Sequence, residues 1–122
     1  FISKPSHEYF VSGFPVWIGK NARANDKLLN LAHKEDLWLH AKSVSGSHVI
    51  IRAHQKKPDK SVLEIAASFA AHQSKAKGSE WVPVIYSLKK YVRKAKNSPP
   101  GSVIVQKEQV IMVEPLEPRN TT

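Results

Sequence analysis

The residues best equipped for chemistry lie in one stretch, residues 36–52, reading DLWLHAKSVSGSHVIIR. Trp38, His40 and Lys42 alternate there with Leu37, Leu39 and Ala41. An extended strand would place an indole, an imidazole and an ammonium on one face. After the SVSGS turn, His48, Ile50 and Arg52 alternate with Val49, Ile51 and Ala53. A short Gly-containing loop between such runs fits an antiparallel hairpin. One register sets His40 opposite His48 and Trp38 opposite Ile50. A one-residue slip scatters them, and the sequence leaves the register open. A face carrying basic, polar and aromatic groups suits stacking on a base or ribose. The competing reading is a core hairpin with Trp38 inside.

Other chemistries have less support. Ser45-Gly46-Ser47-His48 resembles a nucleophile with its base, but no GxSxG elbow is present, and Asp36 would have to complete the set across the hairpin. The six histidines show no HExxH spacing, and only His40 and His48 are placed to face each other. No metal or cofactor is expected, and no catalytic residue. Neither a phosphate-loop pattern nor GxGxxG occurs. The absence of cysteine excludes disulfides and fits a reducing, cytoplasmic setting.

Charge points to the partner. The chain has 122 residues, 24% of them charged, and a net charge of +9. Such a balance attracts polyanions. From residue 81 to 106 there are five basic residues (Lys89, Lys90, Arg93, Lys94, Lys96) and no acidic one. A stripe of this kind could track a phosphate backbone, with salt-sensitive affinity. Lys20, Arg23 and Lys27 cluster near a second candidate site, a helix N-terminus whose free N–H groups favour anions.

The elements that must position these groups read as one α+β domain. It is a mostly antiparallel sheet carrying one long helix, about residues 62–77, and one short helix, about residues 25–33. Residues 9–11 and 16–18 form a first hairpin, with residues 1–8 a flexible lead-in. Either Asn21 or Asn25 caps the short helix. Ser61 and Glu64 form a capping box for the long one, and Gly78 stops it. Residues 81–86 read as a buried strand, and residues 88–96 as strand or helical turn. Pro100 and Gly101 suit a type II turn. Residues 103–105 and 110–113 pair as a last hairpin, and residues 115–122 form a tail. No apolar run approaches the roughly 18 residues that span a bilayer. The opening FISKPSHEYF lacks the features of a secretory leader, and a start at Phe1 reads as a piece of a longer protein.

The segments GKNARAND, DLWLHAKSVSGSHVII, the Ala-rich helix ending in Ser74-Lys75, then VIYS, YVRK and PPGSVIV follow in this order. Together they resemble the RNA-binding C-terminal domain of the NFACT proteins, over about residues 9–114. The resemblance implies a non-catalytic RNA-binding module. It implies that full-length members act in ribosome-associated quality control, binding the large subunit with its stalled nascent chain and recruiting alanyl-tRNA for tailing. Motif positions carried over are Lys20, Asn21, Asn25, Asp26, Asp36, Trp38, His40, Gly46, Ser47, His48, Ser74, Lys75, Arg93, Lys94, Pro100 and Gly101. The family often has Pro after the VRK-type pair, where this chain has Ala95, Lys96, Asn97 and Ser98.

The expected RNA contacts are therefore Lys20, Asn21, Arg23, Asn25, Lys27, Trp38, His40, Ser47, His48, Arg52, Lys75, Lys89, Lys90, Arg93, Lys94 and Lys96. Asp36, Gly46, Ser61, Glu64, Gly78, Pro100 and Gly101 are expected to be structural. The expected partner is tRNA or the large ribosomal subunit, not a membrane, met by a monomeric domain of a multidomain protein. A small metal- or His-dependent RNA-processing hydrolase and a protein-docking module on the ribosome are the alternatives.

Overall fold

Apolar residues of period two dominate the chain and are folded into a six-stranded antiparallel sheet. The computed structural model describes residues 4–54 and 56–121. In chain order the elements are β1 (Ser6–Val11), β2 (Phe14–Gly19), α1 (Ala22–Leu31), β3 (Leu37–Ala41), β4 (Val49–Ile51) and α2 (Lys60–His72), followed by β5 (Val82–Leu88), β6 (Val92–Arg93), β7 (Ile104–Val105) and β8 (Gln109–Val113). The large sheet runs β1-β2-β4-β3-β5-β8, and β6 and β7 form a separate two-stranded ribbon. The hairpin of residues 36–52 thus supplies the two central strands. Its register pairs Trp38 with Ile50 and Leu39 with Val49.

Both faces of this sheet are covered. Leu39, Ala41, Val49 and Ile51 lie in a core with Val62, Ala66, Phe69 and Ala70 of α2. Trp38 and Ile50, one residue out of phase, lie in a second core with Leu28, Leu29 and Ala32. Val92 joins them, with Val103 and Val105 packed alongside. Trp38 is therefore not on an open binding face: 1% of it is exposed. The period-two pattern separates two faces but does not say which is wet, and here a helix and a ribbon dry the second one.

Several sequence expectations shift in detail. Strand β1 starts at Ser6, inside the expected lead-in. Asn21, not Asn25, caps α1, its Oδ1 accepting from the Ala24 N–H at 2.8 Å. The long helix is Lys60–His72, and its cap is Asp59. The Asp59 carboxylate accepts from the Val62 N–H at 3.1 Å and the Ser61 hydroxyl at 2.7 Å. These bonds, the hydroxyl first, hold its pKa below the ordinary carboxylate value. A charged acceptor displaces the expected box because charge-assisted bonds are the stronger ones. Glu64 instead lies 3.8 Å from Lys60, one turn away. The helix also ends before Gly78, because the hairpin turn takes over its terminal backbone groups. Ser47 N donates to Gln73 O at 3.0 Å, and Lys75 N donates to Ser45 O at 2.9 Å.

The expected last hairpin does not form. Strand β7 pairs with β6, while β8 pairs with β5, setting Ile85 opposite Val110. Val103 and Val105 belong to the α1 side, Ile111 and Val113 to the α2 side. Lys107, at φ 54°, turns the chain from one layer to the other. The tail folds back as well: Leu116 N donates to Ser68 O at 3.1 Å, and Thr121 bridges to Val11.

Candidate nucleic-acid interface

Segments far apart in sequence meet at one end of the central hairpin. They are the start of α1 with its cap (Asn21, Ala22, Asn25), the turn after β3 (Ser43 to Ser47), the end of α2 with the residues that follow it (His72, Gln73, Ser74, Lys75, Lys77) and Pro100-Gly101. Between them lies an open groove of about 950 Å³.

The floor is held by a chain of hydrogen bonds. Asn25 sits buried inside α1, and its Oδ1 accepts from His48 N at 3.1 Å. Gly19 allows this approach, since a Cβ there would lie 1.8 Å from that oxygen. His48, 1% exposed, has its Nε2 3.0 Å from Gly101 O. Gly101 N donates to Asp26 Oδ1 at 2.9 Å. Lys94 reaches Asp26 Oδ2 at 3.3 Å and also bonds Pro99 O. Gly101 has the φ of +82° that the third position of a type II turn requires, and Ser102 N closes the turn onto Pro99 O at 3.1 Å. Gly46 lies against α2: a Cβ on it would stand 2.9 Å from Ser74 Cβ.

Burial keeps both imidazoles neutral. It pushes His48 down to about 4, with nearby His40 adding to the effect, and it lowers His40 as well. Neutral His48 therefore donates from Nε2 to the Gly101 carbonyl, and its buried Nδ1 carries a lone pair. His40 sets Nδ1 at 2.6 Å from Ala41 O. Its ring is parallel to Trp38, at 5.9 Å, and edge-on to His48, at 5.4 Å.

The other end of the hairpin is organised by Asp36, whose carboxylate is fully buried. Its oxygens accept from the backbone N–H of His33, Ala53 and His54 and from Arg52 Nε, all within 3.0 Å. Asp36 thus ties the start of β3 to the exit of β4. The five-residue β3 separates it from Ser45 to His48, so no Ser-His-Asp set is assembled. Among the described residues no group of three or more His, Cys, Asp or Glu side chains is placed to hold a metal.

The expected contact residues fall into distinct settings. Asn21, Asn25, His40, Ser47 and Lys75 line the groove. Lys20, Arg23 and Lys27 flank α1 around a neighbouring hollow of about 240 Å³. Trp38 and His48 are interior. Arg52 lies at the opposite end, bound to Asp36 and stacked 4.1 Å over Trp17. Within the expected stripe, Lys90 pairs with Glu35 at 2.8 Å and Lys94 with Asp26. Lys89 donates its backbone N–H to Asp36 O at 2.8 Å. Arg93 and Lys96 are exposed, with no ion pair among the described residues. Sequence reasoning missed Ser43, Ser45 and Lys77 as groove residues. The polar SVSGS run was their one local signal, and nothing local to Lys77 says that α2 ends beside that turn.

The fold and the site define a small α+β domain with a lysine-edged groove at the end of its central hairpin. Residues 6–107 match the family model described as the NFACT protein RNA binding domain, and the chain belongs to that family. It is 40% identical over 105 residues to the Rqc2 homolog RqcH of Bacillus subtilis, covering 85% of this chain and 18% of that one. The RqcH of Streptococcus suis is 37% identical over 103 residues, covering 84% and 18%. Coiled-coil domain-containing protein 25 of Bos taurus is 22% identical over 111 residues, covering 87% and 53%. The chain thus spans under a fifth of the RqcH chains it matches. In structure it is similar to the C-terminal part of the fibronectin/fibrinogen-binding protein of Streptococcus suis. The TM-score is 0.87 at 34% identity, covering 96% of this chain and 47% of that one.

Proposed function

We propose that this domain binds tRNA or large-subunit rRNA through the groove at the hairpin end, as a non-catalytic part of a longer cytoplasmic protein of ribosome-associated quality control. In that protein it serves the rescue of stalled large-subunit complexes and the recruitment of alanyl-tRNA. The observation that carries the reading is the convergence of the motif segments on one groove. Lys75 and Lys77 at its edge have no ion pair among the described residues. Membership of an RNA-binding family and kinship with RqcH support it. A non-catalytic role agrees with His48, which is buried and donates its ring proton to Gly101 rather than to a substrate. A protein ligand is the second reading, favoured by the name of the Streptococcus suis relative.

Titration of the domain with tRNA at low and at physiological salt tests the proposal. Binding is expected at low salt and should weaken steeply as salt rises, because phosphate contacts release counterions. Absence of binding at low salt, or affinity indifferent to salt, would sink it.

A further inference from the structure

The groove has the donors to hold a nucleic-acid backbone, but among its described lining residues no ring is fully exposed for a base to stack on. Its walls are the hydroxyls and backbone of Ser43, Ser45, Gly46 and Ser47, and its edge carries Lys75 and Lys77. Two imidazoles reach it, both half-buried: His40, which is neutral and already packed on Trp38, and His72 at the end of α2. Proteins that read single strands present exposed rings on which successive bases stack. Outside the groove, Trp81 and Phe10 are exposed but do not line it, and cations cover other surface rings. Arg52 lies 4.1 Å over Trp17, and Lys90 and Lys107 lie 5.5 and 4.7 Å over Tyr91.

Lysine ammonium groups suit phosphate oxygens, and serine hydroxyls suit ribose 2′-hydroxyls. Both are displayed along an A-form helix while its bases stay paired. Resting on the RNA-binding reading above, we infer that the groove takes the sugar-phosphate backbone of double-helical RNA, independent of its base sequence. This accounts for a broad, open groove edged by lysines.

The test is fluorescence anisotropy with four probes at low salt. They are an RNA duplex of roughly 16 base pairs, a second duplex of unrelated sequence, one of the single strands, and the corresponding DNA duplex. The two RNA duplexes are expected to bind within about two-fold of each other and roughly ten-fold more tightly than the single strand. The DNA duplex should bind more weakly than RNA, for want of the 2′-hydroxyl. Lys75→Glu with Lys77→Glu should abolish the preference for the duplex. A single strand that binds as well as the duplex overturns the inference while leaving RNA binding intact. So does a marked difference between the two RNA duplexes, equal binding of DNA, or a charge-reversed variant that behaves like the parent. Failure of all four probes to bind overturns the RNA-binding reading itself.

Discussion

The Nε2–H of His48 donates to the carbonyl of Gly101 across 3.0 Å, joining the end of the central hairpin to a turn 53 residues further along the chain. The bond needs only a proton on Nε2, which a charged ring would also carry, yet burial makes the ring intolerant of charge. His48 has a folded pKa of about 4 against an ordinary value of 6.5. The unfolded chain therefore binds a proton more readily than the folded one between these values. Stability is full above about pH 6.5 and falls as the pH drops towards 4. Each pKa unit corresponds to about 1.4 kcal/mol, so the loss is on the order of 3 kcal/mol. His40, also lowered, adds a loss of the same sign. Urea unfolding at pH 7.5, 5.5 and 4.5 checks this, and a flat stability across that range contradicts it. Glu35 and Asp59, both lowered from their ordinary values of 4.5 and 3.8, add a loss of the same sign that sets in only towards the acid end of this window and below it.

At the far end of the hairpin, Asp36→Ala is expected to cost roughly 3–5 kcal/mol, since it strands Arg52 and three backbone donors around a buried position. Thermal unfolding measures it. A loss below about 1 kcal/mol would mean that water replaces the carboxylate.

The glycines separate sequence logic from packing. Gly78 reads as a helix stop, but the helix ends earlier and a Cβ at Gly78 meets nothing within 4 Å. Gly78→Ala should fall within about 0.5 kcal/mol of the parent. Gly46→Ala should cost about 1–3 kcal/mol, because its Cβ would press on Ser74 Cβ at 2.9 Å and Gln73 O at 3.1 Å. It should also weaken RNA binding by deforming the groove wall. Chemical denaturation of the two variants side by side decides the matter, and equal stabilities would refute the packing account.

How far these positions were legible follows from which interactions are local. The pairing of Trp38 with Ile50 could be read as one of the few registers that strand alternation and the length of the Ser/Gly turn allow, and the structure selects it. The burial of Trp38 could not, since α1 and the β6–β7 ribbon that cover it come from elsewhere in the chain. The same limit explains the misplaced last hairpin. Ile104–Val105 and Gln109–Val113 are equally strand-like, and only the layers they pack against send them to different partners. In the groove, GKNARAND, SGSH, Ser74-Lys75 and PPG were each visible as segments. Their meeting depends on hydrogen bonds such as Gly101 N to Asp26, across 75 residues, which no local pattern encodes.

Charge reversal distinguishes lysines by their surroundings. Lys90 is bound to Glu35 and lies over Tyr91, away from the groove, so it is poorly placed to meet a phosphate. Lys94 holds Asp26 and Pro99, so its replacement disturbs the turn as well as the charge. Lys75 and Lys77 stand exposed at the groove edge, which makes them the informative pair. Lys75→Glu with Lys77→Glu should weaken tRNA binding at least ten-fold at low salt, and the slope of log affinity against log salt should fall by about 2, one for each phosphate contact. Thermal stability should change by under about 0.5 kcal/mol, as expected for exposed side chains. Lys90→Glu should leave the salt slope near its parent value while removing the pairing with Glu35. If instead Lys90→Glu erases binding and the Lys75 and Lys77 reversals do not, the RNA lies along Lys89–Tyr91 and the groove is not its site.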